Sequence, residues 1–431
     1  MKFSKYNIFF NNGDTSILLF NTRTLKLLVL VNEVYELIYA HINDISTLAD
    51  IHHGLFQVLI DNQFILADNI DEQKLAIETL EKHNNSQSSF EFIINPTLDC
   101  NLRCWYCYEE HLKGSVMSPA ILQSVKIAIE RKLQDKKLKK LQLSFFGGEP
   151  LLKFNPIVYP LIEYAKENCD KFNKKLVVNF TSNGVLLTPK NVDKLSSLGV
   201  SCFFQIAFDG DEKHHDNVKK HPNGKGAYQE TIANIRYAIS KGIKILVRCN
   251  YTPENILSFQ EFIKDFSNVP YKHKRYLHFD FKKVWQTGEN EKTQLGVNKL
   301  FELLVKYKFL KEVPKTLADI STCYADKENS VVINYDGNVF KCTAQDFKPA
   351  ASEGTLTPNG DIVYNQKYEQ RMRNRYSNKQ GLECKAFPIC SVCSQRRLQA
   401  DTNGCLLAFT DDDIENQIYE VMLAVSKNKI K

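Results

Sequence analysis

The chain reads as an α/β protein built on parallel strands, and the stretch from Phe90 to about residue 312 predicts this. Six short apolar runs alternate with helix-length amphipathic segments: "FEFIIN", "LQLSFF", "KLVVNFTSN", "CFFQIAFD", "KILVRCNYT" and "YLHFDFKKVW". Strands separated by helices at this spacing pair in parallel through right-handed crossovers, as a barrel or an open sheet. In such folds ligands gather at the C-terminal ends of the strands. Polar motifs, "TSNG" and "VRCNYT", close the third and fifth runs there.

Taken in order, residues 1–83 predict a small α/β unit. "YNIFF", "SILLFN" and "KLLVLV" read as strands, "NEVYELIYAHI" and "TLADIHHGLFQVLI" as helices, and "QFILAD" as a closing strand. A helix over "DEQKLAIETLEKH" leads into the polar, turn-rich "NNSQSS", residues 84–89, which reads as a linker. Between the later strands, "SPAILQSVKIAIERKLQD", "PIVYPLIEYAKENC", "YQETIANIRYAISK" and "ILSFQEFIKDF" have helical periodicity. After about residue 312 the alternation stops, and the remainder is cysteine-bearing and rich in loops, a texture that suits a fold held partly by metal.

With 431 residues and 43% hydrophobic content, there is material for two or three cored domains. The net charge of +6 is small for this length, and the basic clusters "KKLKK" and "KFNKK" read as solvated helix faces, with no nucleic-acid partner implied. "MKFSKYNIFFNNGD" turns polar before an apolar core of signal-peptide length forms, and no run approaches a membrane span, so a cytoplasmic protein is expected. Twelve cysteines in that compartment point to metal or catalysis before disulfides. Cys169, Cys202 and Cys249 fall on helix or strand segments and read as structural thiols.

Cys100, Cys104 and Cys107 form C-x3-C-x2-C directly after the first strand of the alternating region. Three thiolates on one short loop can converge on one metal centre. A closed structural zinc site wants a fourth ligand, whereas an iron-sulfur cube held by three cysteines leaves one iron open to a chelating ligand. One strand later, "SFFGGEP" combines glycines, which permit a sharp turn and close backbone approach, with a carboxylate suited to an ammonium group.

The cysteine loop, with aromatic Tyr108 after its last cysteine, resembles that of the radical S-adenosylmethionine (radical SAM) enzymes, and "GGEP" resembles their motif for the SAM amino group. The resemblance implies a partial (β/α)6 barrel of TIM-like type. It also implies a 4Fe-4S cluster on Cys100, Cys104 and Cys107 that binds SAM and cleaves it to a 5'-deoxyadenosyl radical. By the same resemblance the SAM contacts are Tyr106, Gly147, Gly148, Glu149, Pro150, Ser182, Asn183, Arg248 and Asn250.

The later cysteines, with Gly337 in a "YDGN" turn between Cys323 and Cys342, resemble the SPASM domain, which carries up to two auxiliary 4Fe-4S clusters. That implies Cys323, Cys342 and Cys393 on one cluster and Cys384, Cys390 and Cys405 on the other. Each set has three thiolates, because Gly381 stands where the family pattern has a cysteine and the gap from Cys390 to Cys393 is one residue short. Glu383 and Asp346 are nearby candidates for the missing ligand, and zinc or a single auxiliary cluster is the rival arrangement.

The opening 83 residues resemble the winged-helix-like leader-recognition regions of radical SAM/SPASM peptide maturases. The implied organisation is 1–83 for leader recognition, 84–89 as linker, 90–312 as barrel and 313–431 as SPASM domain. The implied activity is oxidative cross-linking (thioether, carbon-carbon or carbon-oxygen) of a ribosomally synthesised precursor peptide with leader and core, fed by an electron donor such as flavodoxin or ferredoxin. Two rivals are formylglycine formation in the manner of anaerobic sulfatase maturases and a non-catalytic iron-sulfur or zinc peptide-binding protein. Thr343, where the maturases carry aspartate after Cys342, counts against the first.

Overall fold

The computed structural model describes residues 1–107, 109–284, 287, 291–309, 323–345, 347–377, 379–399 and 404–429. Two compact units emerge: Gln87–Glu312 with Asn329–Tyr368, and Met1–Ser86 with Val313–Glu328 and Glu369–Lys431.

In the smaller unit, β1 (Lys2–Phe3) pairs with β5 (Ile65–Leu66), and β2 (Asn7–Asn11), β3 (Ser16–Asn21) and β4 (Lys26–Val31) form an antiparallel meander. Ile8, Leu18 and Phe20 bury one face of that meander against Ile418 and Met422 of the helix Asp411–Lys429. The single helix expected over 47–60 is instead broken into Leu48–Ile51 and His53–Asp61. His52 departs from helical angles, and its ring accepts from the Leu55 amide, so it ends one turn and caps the next.

The larger unit holds all six strands expected from the alternation: β6 (Ser89–Ile94), β7 (Lys140–Phe145), β8 (Lys175–Ser182), β9 (Ser201–Phe208), β10 (Lys244–Tyr251) and β11 (Leu277–Lys283). They pair in parallel in sequence order. Along β7, Leu141, Leu143 and Phe145 are buried while Gln142 and Ser144 are half-buried, the period of two that separates a helix-covered face from a polar one. Phe180 stacks between Phe145 and Phe204, with ring centroids 5.2 and 4.2 Å away.

Helices Pro119–Leu133, Tyr159–Lys171, Pro189–Ser197, Tyr228–Ser240 and Phe259–Asp265 form the crossovers. Two start on a capping hydroxyl followed by proline: Ser118 accepts from the Ile121 amide and Thr188 from the Asn191 amide. Beyond β6 the sheet continues through β12 (Ser330–Ile333), parallel to β6, and then antiparallel β13 (Asn338–Phe340), β14 (Gly354–Leu356) and β15 (Ile362–Tyr364). Gly337, at φ +82°, sits in the turn between β12 and β13, as "YDGN" predicts. No helix among the described residues is long and apolar enough to cross a membrane.

Candidate functional site

The chain leaves β6 at Ile94 and enters an arc held by its own polar groups. Thr97 Oγ1 donates to the Ser115 carbonyl at 2.6 Å, and Ser115 Oγ accepts from the Leu98 amide at 2.8 Å. The Asp99 carboxylate accepts from the Cys100 and Gly114 amides. The arc is therefore shaped before any ligand binds.

Within it, Cys100 is buried among Leu102, Val185 and Ala227, and its sulfur accepts from the Leu102 amide at 3.4 Å. Burial, reinforced by the Glu149 carboxylate, pushes this thiol up to about 12. Cys104 is half-buried and Cys107 exposed, with His111 Nε2 3.3 Å from the Cys107 sulfur. Among the described residues no three thiol, imidazole or carboxylate groups are already closed into a metal-binding group. What the loop offers is three soft ligands on one preformed arc with nitrogen donors beside the sulfurs. That donor set fits an iron-sulfur cluster.

"GGEP" follows β7, and its glycines are explained by the cysteine arc. Gly147 has φ +102°, and a Cβ there would lie 2.3 Å from the Thr97 carbonyl oxygen; one on Gly148 would lie 2.3 Å from that of Asp99. The two loops are zipped together by Gly148 N–H to Thr97 O at 3.2 Å and Glu149 N–H to Asp99 O at 2.8 Å. Pro150 is buried and starts a 3-10 turn, Pro150–Lys153.

Glu149 is 0% exposed. Its carboxylate accepts from the Leu151 amide (3.0 Å), the Asn183 amide (2.8 Å) and Ser182 Oγ (2.9 and 3.1 Å). Burial raises its pKa to about 7 against the opposing pull of those donors. Both oxygens are thus engaged by the protein, and one of the roughly four acceptor positions of a carboxylate is left. Asn183 also reaches back, Nδ2 donating to Asn101 Oδ1 at 2.8 Å and lying 3.7 Å from the Cys100 sulfur. The ends of β6, β7 and β8 converge here through Cys100, Glu149, Ser182 and Asn183.

Arg248 and Asn250 lie on the half-buried face of β10, with Arg248 Nε donating to Asn250 Oδ1 at 3.2 Å. Asn250 Nδ2 donates to the Tyr106 hydroxyl at 3.1 Å, which brings that end of the sheet to the same loop. Tyr106 in turn donates to Asp209 Oδ1 at 2.6 Å and accepts from Lys219 Nζ at 3.3 Å.

Asp209, His215 and Lys219 are the residues that the sequence reading missed. Asp209 directly follows β9 in "FDG", and His215, in the helix Glu212–Val218, and Lys219, just past its end, lie four residues apart, which was the available signal. Burial pulls the Lys219 pKa down, but the Tyr106, Cys104 and Asp209 groups outweigh it and hold it above the ordinary lysine range.

The later cysteines fall in both units. In the smaller one the Cys323 thiol donates to Cys393, which raises the first and lowers the second, with the Gln395 and Arg396 amides also lowering Cys393. There too, burial and then the neighbouring Cys390 and Cys405 raise Cys384, whose sulfur accepts from the Ala386 amide at 3.4 Å. Cys342 belongs to the larger unit, where its sulfur accepts from the Ala344 amide at 3.3 Å. Glu383 is ion-paired with Lys5 at 3.1 Å, which competes with a ligand role. Asp346 and Tyr108 lie outside the described residues.

Residues 94–266 match the family described as Radical SAM superfamily. The radical SAM cyclopropyl synthase TigE of Paramaledivibacter caminithermalis is 25% identical over 264 residues, 54% of this chain and 53% of that protein. The chain therefore spans about half of TigE's length. Two solved structures share the fold. The one described as native anSMEcpe with bound AdoMet and Kp18Cys peptide is 17% identical with a TM-score of 0.59, covering 79% of this chain and 99% of its own. Streptococcus suis SuiB bound to precursor peptide SuiA is 15% identical with a TM-score of 0.51, covering 95% and 100%.

Proposed function

We propose, from a domain that matches the radical SAM superfamily, that this chain is a radical SAM oxidoreductase that modifies a ribosomally made precursor peptide by oxidative cross-linking. The observation that carries the reading is that the loop bearing Cys100, Cys104 and Cys107 is zipped to the Gly148–Glu149 turn through the Thr97 and Asp99 carbonyls, with Ser182 and Asn183 bonded to Glu149 and Asn183 beside the Cys100 sulfur. A 4Fe-4S cluster on Cys100, Cys104 and Cys107, with SAM bound, would supply one-electron cleavage of the sulfonium and hence hydrogen abstraction from an unactivated carbon.

The chain's own part is positional. The arc presents three thiolates in fixed order, the glycines let the backbone of the next loop approach, and Glu149 supplies a buried acceptor for an ammonium group. Tyr106, within the arc, and Arg248 and Asn250, linked to it through Asn250, would contact the ribose and carboxylate of SAM. The peptide itself is the expected partner, with its leader on residues 1–83. That is consistent with the meander's edge strand β4, where Val29 and Val31 are exposed, since such an edge can accept an extended peptide. Cys323, Cys342 and Cys393, and Cys384, Cys390 and Cys405, are assigned to auxiliary clusters, and flavodoxin or ferredoxin to the electron supply.

The test is anaerobic incubation of the reconstituted full chain with SAM and dithionite. Wild type forms 5'-deoxyadenosine and the Cys104→Ala chain forms none; equal, negligible yields from both would sink the assignment. Co-expression with a peptide encoded beside the gene then separates products. Cross-linking removes pairs of hydrogens and leaves no aldehyde. Formylglycine, the rival product, is captured by a hydrazide probe.

A further inference from the structure

Outside the GGE turn, one buried polar cluster touches the cysteine arc. Lys219 is 4% exposed and Asp209 1%. Lys219 Nζ lies 3.8 Å from the Cys104 sulfur, 3.3 Å from the Tyr106 hydroxyl and 3.6 Å from Asp209 Oδ2. His215, fully buried, places Nδ1 4.0 Å from the same Asp209 oxygen. The segment is tied to the arc by its backbone as well, since the Arg103 amide donates to the Lys220 carbonyl at 3.1 Å.

A lysine ammonium buried against a cysteine sulfur costs desolvation free energy, and its own tail could reach solvent from many other positions. Here it is held inward by one carboxylate, one hydroxyl and one sulfur. A fixed cation beside a sulfur ligand stabilises the added negative charge of a reduced iron-sulfur centre, because such potentials respond to local charge and to hydrogen bonds at sulfur. The Asp209 carboxylate, 3.6 Å from Lys219 Nζ and accepting from Tyr106, tempers that field.

We infer that Lys219 is a positioning residue that sets the reduction potential of the cluster proposed on Cys100, Cys104 and Cys107, raising it through the Cys104 sulfur, with Asp209 as the opposing charge. The inference rests on the radical SAM reading. Tyr106 is the hinge between the two charges, since its hydroxyl donates to Asp209 while accepting from Lys219 and Asn250.

The test is a redox titration of the reconstituted full chain, with dithionite supplying one electron per cluster and the signal followed by electron paramagnetic resonance. The relevant signal is the one lost in the Cys100/Cys104/Cys107→Ala chain. Lys219→Met shifts its midpoint to more negative potential and Lys219→Arg keeps it near wild type. Equal midpoints in wild type and Lys219→Met at equal iron content would overturn the inference. If Lys219→Met holds no iron, Asp209→Asn decides: a shift to more positive potential supports the inference, and an unchanged midpoint overturns it. A wild-type chain with no such signal would instead remove the radical SAM reading itself.

Discussion

Gly148 shows how a single hydrogen atom in place of a methyl group can decide a site. A Cβ there would meet both the Asp99 and Leu98 carbonyl oxygens inside 3 Å, and these are backbone atoms that cannot swing away. Gly148→Ala is expected to destabilise the larger unit by roughly 1–3 kcal/mol, the usual cost of overpacking, and to lower iron content after reconstitution. Chemical denaturation together with an iron assay checks this, and a stable variant with full iron would contradict it. Glu149 makes a second prediction. With its carboxyl raised to about 7, the charged form that attracts an ammonium is lost as pH falls through that value. SAM affinity should therefore weaken between pH 8 and pH 6, by at most about tenfold per unit, and Glu149→Gln should flatten the profile. Binding isotherms at the two pH values decide it.

Among the elements, the parallel strands were the most legible part of the chain, because each is buried on one face by helices and carries its apolar residues at a period of two. The stack of Phe145, Phe180 and Phe204 follows directly from that period and from the register Phe145–Phe180–Phe204 across β7, β8 and β9. Phe180→Ala should cost about 3–5 kcal/mol, read as a shift in the denaturation midpoint, whereas Ser118→Ala at the half-buried helix cap should cost about 1. What was not legible depended on contacts distant in sequence. His52 breaks a helix by accepting one amide, which periodicity cannot show. Lys219 lies 115 residues from Cys104, and the spacing of Asp209, His215 and Lys219 marks a polar cluster without showing that it meets the cysteine arc. The glycines of "GGEP" suggested close approach, but only the fold shows that the approaching backbone is Thr97 and Asp99.

At the scale of the molecule, the smaller unit takes its core from both termini. Ile8, Leu18 and Phe20 pack on Ile418, Val421 and Met422, Tyr6 packs with Phe387, and Thr22 Oγ1 donates to the Lys385 carbonyl at 2.5 Å. A second cluster, including Leu19, Ile38, Leu59 and Phe64, lies wholly within residues 1–83, so this segment has a local core and a shared one. Its deletion is expected to strip the apolar face of the helix Asp411–Lys429 and loosen the segment that carries Cys384 and Cys390. Soluble yield and iron per chain should both fall relative to full length; a truncated chain matching the parent in both would refute the shared core.

The same closure has a consequence for biosynthesis. β2 and β3 are translated nearly four hundred positions before the residues of the helix that covers them. At about 5–20 residues per second, that leaves an interval of tens of seconds in which Ile8, Leu18 and Phe20 have been made and their partners have not. The larger unit can fold in the meantime, and the meander is covered only when the helix Asp411–Lys429 packs on it. For that interval a nascent chain exposes one face of an apolar sheet, a state that a chaperone would cover.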